Sequence, residues 1–142
     1  MKRFWKLGLA LLATALWLWF IYARSAQSAA VSDRESGAVL GLLRKLVPFV
    51  NMLLVRKLAH FTEYAVLGAL LWLDWRLLGR GRLLLPLGAG LLFAAADEFL
   101  QTFIPGRSGE VLDVLLDFSG VLAAVLLARL IRNRKEKKRR EA

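Results

Sequence analysis

Four apolar stretches constrain this chain most, each close to the ~20 residues needed to cross a bilayer core. They run from Leu7 to Ala23, Lys57 to Trp75, Leu83 to Leu100 and Val111 to Ile131. Their apolar residues are too continuous to form one face of a soluble amphipathic helix. At 142 residues, 58% of them hydrophobic, the chain has the size of one domain and implies no second core. The expectation is an all-α integral membrane protein. It would be a four-helix transmembrane bundle forming a single membrane domain over 1–142, with spans at 7–23, 57–75, 83–100 and 111–131 and a basic tail at 132–142.

Charge sets the orientation. Lys2, Arg3 and Lys6 precede the first span, Arg76, Arg80 and Arg82 follow the second, and eight cations lie from Arg129 onward. An even number of spans gathers these 14 of the 21 Lys and Arg residues on one side. The positive-inside rule then places that side, with both termini, in the cytoplasm. Gly79 and Gly81 break the chain between the second and third spans. Trp17, Trp19, Phe20 and Tyr22 close the first span as interfacial aromatics do. A signal peptide ending in Ala23-Arg24-Ser25-Ala26 is the alternative, but the run is long for one and three spans follow it.

The connection from Arg24 to Arg56 is too long for a turn. Ser32-Asp33-Arg34-Glu35 fits a capping box that starts a helix. The apolar stretch from Ala38 to Val55 is interrupted by Arg44, Lys45, Pro48 and Asn51. These features fit an outer interfacial or re-entrant helix better than a fifth crossing, which would put the basic tail outside.

The net charge of +10 does not indicate nucleic acid. The cations edge the apolar runs, and no basic face carries stacking aromatics. Membrane lipids are the expected partners, with the tail against anionic head groups. With no cysteine and the single histidine His60, thiolate chemistry and a multi-imidazole zinc site are excluded within one chain.

Ionisable groups at membrane depth are costly unless paired or hydrated, so a cluster of them marks a candidate site. Lys57, His60 and Glu63 open the second span, Asp97, Glu98 and Gln101 close the third, and Asp113 and Asp117 open the fourth. The topology brings all three sets to one depth near the outer leaflet. At about 100° per residue, Lys57, His60, Glu63, Tyr64, Leu67 and Gly68 share a stripe roughly 140° wide. Asp113, Asp117, Gly120 and Ala124 share one of about 60°. The small residues Gly68, Gly120 and Ala124 allow close helix approach beneath the polar groups.

Between the third and fourth spans, Pro105-Gly106 signals a turn and Ser108 can cap the next helix. The backbone amides there, with Arg107, suit an anion. Read separately, each group has a plain structural role. Lys57 snorkels, Asp113 favours a helix start, Asp97 and Glu98 pair with Lys57 and Arg107, and His60 bonds within the core. Their shared depth is what argues for a site.

The segment Lys57-Leu58-Ala59-His60-Phe61-Thr62-Glu63-Tyr64, with Leu67 and Gly68, is followed by Asp97-Glu98-Phe99-Leu100-Gln101-Thr102-Phe103-Ile104-Pro105-Gly106-Arg107. Together with Asp113, Asp117 and Gly120, it resembles the VanZ-like family of bacterial membrane proteins. The resemblance covers roughly Lys57 to Leu127; its ordered combination is specific where each piece alone is weak. It implies a bacterial inner or plasma membrane protein from a family whose founding member is associated with teicoplanin resistance and whose biochemical activity is not settled. Where the family commonly has asparagine, this chain has Asp117, an added carboxylate.

Three functions follow as expectations. The first is binding of an anionic envelope lipid or lipid-linked cell-wall precursor, with Lys57, Tyr64, Gln101, Arg107, Asp113 and Asp117 as ligand-binding candidates alongside His60. The second is catalysis on envelope lipids by His60, Glu63, Asp97 and Glu98. Here His60 or Glu63 serves as acid or base, and Asp97, Glu98 and Asp113 hold a hard divalent cation. No nucleophile motif such as Gly-x-Ser-x-Gly appears. The third is lipid or solute transport, for which four spans are few unless a homo-oligomer forms, and for which no polar set is expected in the inner halves. Cofactor, metal and ligand identity are not legible in the residues.

Overall fold

A computed structural model describes residues 2–45, 47–79 and 82–141. It contains five helices and, among the described residues, no strand: α1 Lys2–Ser25, α2 Ala29–Leu43, α3 Met52–Leu77, α4 Leu84–Gln101 and α5 Val111–Glu141. Helices α1, α4 and α5 are long and apolar enough to cross a membrane. Their outward surfaces agree, with Trp5, Leu9, Leu84, Leu92, Phe99 and Leu127 all exposed. So much contiguous apolar surface is at home in lipid, not in water.

Helix α3 packs against each of the other four. Its buried residues Tyr64, Leu67, Gly68, Leu71 and Asp74 recur at helical spacing and form the stripe that the bundle closes around. Ile21 of α1, Ala94 of α4, and Val121 and Val125 of α5 complete the core. Helices α3 and α5 run parallel and touch at their glycines. A Cβ on Gly68 would sit 2.7 Å from the Val121 carbonyl oxygen, and one on Gly120 would collide with the Phe61 carbonyl oxygen. Glycine permits the backbones to meet here because no side chain separates them.

Several sequence-based boundaries move. Helix α3 begins five residues before Lys57, because Asn51 caps it by accepting the Leu54 N–H at 2.8 Å. Helix α2 begins at Ala29, ahead of the expected capping box, and Ser32 is already bonded within it through Ser28 O. The acids of that motif serve tertiary contacts instead, Asp33 pairing with Arg56 and Glu35 with Arg24. Ser108 does not cap α5. Its hydroxyl lies against the Glu110 carboxylate, and the Glu110 carbonyl accepts the first helical N–H groups.

The basic tail extends α5 to Glu141, supported by the i,i+4 pairs Arg132–Glu136 and Lys137–Glu141. Gly79 takes φ +77°, which ends α3 as expected. Arg80 and Gly81 lie outside the described residues.

The helix order produces two unlike ends. At one, Arg3 donates to the Leu77 carbonyl, and Arg76, Arg82, Arg129 and Arg132 surround a cavity of about 240 Å³. At the other, the end of α1, the start of α3, the end of α4 and the start of α5 converge, with α2 packed on α3. The acids and the histidine expected to form a site lie at this second, polar end.

Candidate functional site

The polar end is built in layers. Nearest the rim, ion pairs join the helices: Lys57 Nζ to Asp113 Oδ1 at 2.6 Å, Arg24 to Glu63 at 3.1 Å and to Glu35 at 3.2 Å, and Arg56 to Asp33 at 3.4 Å. Parallel packing of α3 and α5 sets the Lys57–Asp113 pair and also a contact beneath it. One turn below Lys57 and Asp113, His60 Nδ1 lies 3.6 Å from Asp117 Oδ1. That distance is too long for a hydrogen bond but keeps the ring beside the carboxylate.

Asp97 of α4 enters the same space. It and Asp117 are fully buried, and one donor atom from each of His60, Asp97 and Asp117 lies within 4.8 Å of the others. Ser25 Oγ and Gln101 Nε2 donate to Asp97 Oδ2 at 2.9 and 3.4 Å. Its Oδ1, both oxygens of Asp117 and His60 Nδ1 have no hydrogen-bond partner among the described residues. Tyr64 forms the floor: completely buried, it donates to the Phe93 carbonyl at 3.3 Å, as Tyr22 does at 3.2 Å.

Above this buried group opens a cavity of about 200 Å³, lined by Arg56, Lys57, His60, Gln101, Arg107, Ser108 and Asp113 among others. A smaller recess of about 20 Å³ on another side of His60 reaches Arg24, Ser25, Ser36 and Glu63. Arg107 borders both, and forms no ion pair among the described residues. Its Nε is buried without a partner. Burial first, then the neighbouring Arg56 cation, lower the pKa of its guanidinium below the ordinary arginine value. It is still a cation at neutral pH. The turn that presents it closes as the sequence suggests, with Gly106 at φ +76° and the Arg107 N–H bonded to the Ile104 carbonyl.

The predicted residues therefore separate by role. Lys57, Gln101, Arg107 and Asp113 line the cavity, and His60 joins it to the buried carboxylates Asp97 and Asp117. Glu63 is engaged by Arg24 beside His60. Glu98, next to Asp97 in sequence, turns elsewhere and accepts the Glu110 N–H at 3.0 Å, tying the 102–110 turn to α4. The carboxylates expected to share a cation are thus differently placed: Glu98 and Asp113 have other partners, while Asp97 and Asp117 face each other and His60.

Arg24, Ser25 and Arg56 escaped the sequence reading. Arg24 and Ser25 stand where an apolar run ends, so their composition suggested a processing site, and Arg56 lies just before the expected start of the second span. A buried polar contact also lies in the opposite half of the bundle, though it is a single pair and not a set to match the polar end. Asp74 is 2% exposed and accepts the Thr14 hydroxyl at 2.6 Å. An acid inside the apolar run Leu70 to Trp75 was the available signal.

The architecture is that of an all-helical membrane protein with an ionisable cluster buried at one end. The family model described as VanZ/LLP1 matches residues 10–132, and the chain belongs to that family. The match reaches back through α1 and α2, well ahead of Lys57, which accords with the part Arg24 and Ser25 take in the polar end. No curated protein and no solved structure matches the chain.

Proposed function

We propose that the polar end is an outward-facing receptor for the phosphate of an anionic envelope lipid or lipid-linked cell-wall precursor. In this reading α1, α3, α4 and α5 are four spans of a bacterial inner or plasma membrane protein, α2 lies along the outer interface, and both termini are cytoplasmic. The charge bias of the two ends supports that orientation.

One observation carries the binding reading: Arg107 is drawn into the cavity with an unpartnered Nε, beside a second guanidinium, that of Arg56. Two neighbouring arginines repel each other unless an anion stands between them, and a phosphate matches the fork of each. Lys57 and Ser108 add donors on the same wall. The cavity adjoins helices whose flanks are apolar, so a head group bound there could keep its chains in the bilayer. A contribution to teicoplanin-type resistance would follow if the lipid is a wall precursor.

The test is native mass spectrometry of the purified protein in nanodiscs, comparing polyprenyl phosphate and phosphatidylglycerol with phosphatidylcholine. Wild-type protein retains an anionic phosphate lipid in preference to zwitterionic phosphatidylcholine, and Arg107→Ala weakens that retention about tenfold or more, since a charge-assisted hydrogen bond contributes about 1.5–3 kcal/mol. Equal retention of all three lipids, or an Arg107→Ala protein that binds as wild type does, would sink the proposal.

A further inference from the structure

We infer that His60, Asp97 and Asp117 form a three-ligand site for a divalent metal ion, zinc or manganese, whose free coordination position faces the cavity lined by Arg56 and Arg107. The metal site stands on its own residues; only its role toward a phosphate rests on the function proposed above.

The first ground is unmet bonding at full burial. Asp97 and Asp117 are both 0% exposed, yet Asp97 Oδ1 and both Asp117 oxygens lack a hydrogen-bond partner among the described residues. Buried carboxylates are normally paired, hydrogen-bonded or bound to a metal, because the cost of leaving one bare is several kcal/mol. Among the described residues no lysine or arginine pairs with either carboxylate: Lys57 is bound to Asp113, Arg24 to Glu63 and Glu35, and Arg107 forms an ion pair with neither Asp97 nor Asp117. One imidazole remains for two carboxylates, and a neutral imidazole with two carboxylates presents the charge that a divalent cation balances.

The second ground is geometry. The three donor atoms lie within 4.8 Å of one another, and His60 Nδ1 and Asp117 Oδ1 are 3.6 Å apart. Ligand atoms around tetrahedral zinc stand about 3.4 Å apart, given metal–ligand bonds of roughly 2.0–2.1 Å. The pair already has nearly that separation, and a modest inward movement of Asp97 completes the set.

The third ground is the support behind the ligands. Ser25 and Gln101 both bind Asp97 Oδ2, which fixes the carboxylate and leaves Oδ1 as its free donor. Outer hydrogen bonds of this kind orient metal ligands. Asp97 and Asp117 are sealed, whereas the His60 side chain is 23% exposed and lines the cavity, so His60 marks the open side. The imidazole nitrogen favours zinc over magnesium or calcium, which prefer oxygen alone, and the two carboxylates also suit manganese. Three protein ligands leave a position for water or for a phosphate oxygen held by Arg107.

The experiment uses the full chain, stripped with chelator and reconstituted in phosphatidylcholine nanodiscs, then titrated separately with zinc chloride and manganese chloride. Metal retained after gel filtration is measured by elemental mass spectrometry, with melting temperature as a second readout. Wild-type protein is expected to retain one equivalent of at least one metal and to melt at a higher temperature with it. Asp117→Asn and Asp97→Asn, which preserve shape, should lower affinity about tenfold or more.

Asp74→Asn removes a buried carboxylate about 21 Å along α3 from His60 and should leave retention unchanged. Helical circular dichroism verifies folding; if an Asp variant unfolds, His60→Gln takes its place. Failure of wild type to retain either metal, or full retention by Asp117→Asn, overturns the site, as would be seen if the carboxylates simply share a proton. Metal retention without phosphate-lipid capture would keep this site and remove the anion receptor, and the opposite pattern would do the reverse.

Discussion

Lys57 and Asp113 meet at 2.6 Å between the second turn of α3 and the first turn of α5, joining the two helices one turn above the point where His60 faces Asp117. More than a third of each side chain is exposed or nearly so, at 38% and 34%. Water and salt therefore screen the pair, and its main effect is to fix the relative register of two parallel helices.

A double-mutant cycle with Lys57→Ala and Asp113→Ala should give a coupling energy below about 1 kcal/mol, decreasing as salt rises. Thermal unfolding in detergent at two ionic strengths measures it. A coupling of several kcal/mol, insensitive to salt, would show that the rim is far drier than its exposure indicates.

The glycines below that rim make a stronger claim on stability. Gly120→Ala would press a methyl group onto the Phe61 carbonyl, and Gly68→Ala would press one onto the Val121 backbone. Backbone cannot swing aside as a flexible side chain can, so each change should cost about 1–3 kcal/mol. Gly88 meets nothing within 4 Å, so Gly88→Ala, which also favours helix, should be neutral or mildly stabilising. Melting curves of the three variants check the order. A loss at Gly88 comparable to that at Gly120 would contradict the crossing described.

These contrasts show what was legible in the amino acids. The stripes Lys57-His60-Glu63-Tyr64 and Asp113-Asp117-Gly120 follow from helical spacing, and the order of the helices brings them to one end, so their convergence and the close approach at Gly68 and Gly120 could be read directly. Asp97 and Glu98 could not be told apart, because which of two adjacent side chains faces the bundle depends on how α4 is rotated. The contribution of Arg24 and Ser25 depends on α1 docking antiparallel to α3, a tertiary event with no local signature. In sequence Asn51 merely interrupts an apolar stretch, although its place one residue before Met52 makes it the cap that starts α3.

Thr14 and Asp74 offer a test in the other half of the bundle. The Thr14 hydroxyl donates to Asp74 Oδ2, while Asp74 Oδ1 has no partner among the described residues. Thr14→Val keeps the shape but removes the donor, and a buried acceptor left unpaired costs about 1–3 kcal/mol. Asp74→Asn retains an oxygen that can accept the hydroxyl and should cost less than Thr14→Val. Chemical denaturation of the two variants decides the order, and equal stability of wild type and Thr14→Val would mean that the contact contributes nothing.

Orientation can be tested cleanly because the chain has no cysteine of its own. Ser108 lies in the turn between α4 and α5 at the polar end, and Lys137 lies on the distal part of α5 beyond the basic end; both are exposed. If the four long helices alternate across the membrane with the polar end outward, Ser108→Cys reacts with an impermeant maleimide on intact cells. Lys137→Cys then reacts only after the membrane is opened. The excess of cations at the Lys137 end is the ground for expecting this polarity, since moving them outward would reverse the bias that fixes short loops during insertion. Labelling of Lys137→Cys on intact cells would place the basic helix outside and turn the cavity of Arg56 and Arg107 toward the cytoplasm, where a surface-facing lipid precursor could not be its ligand.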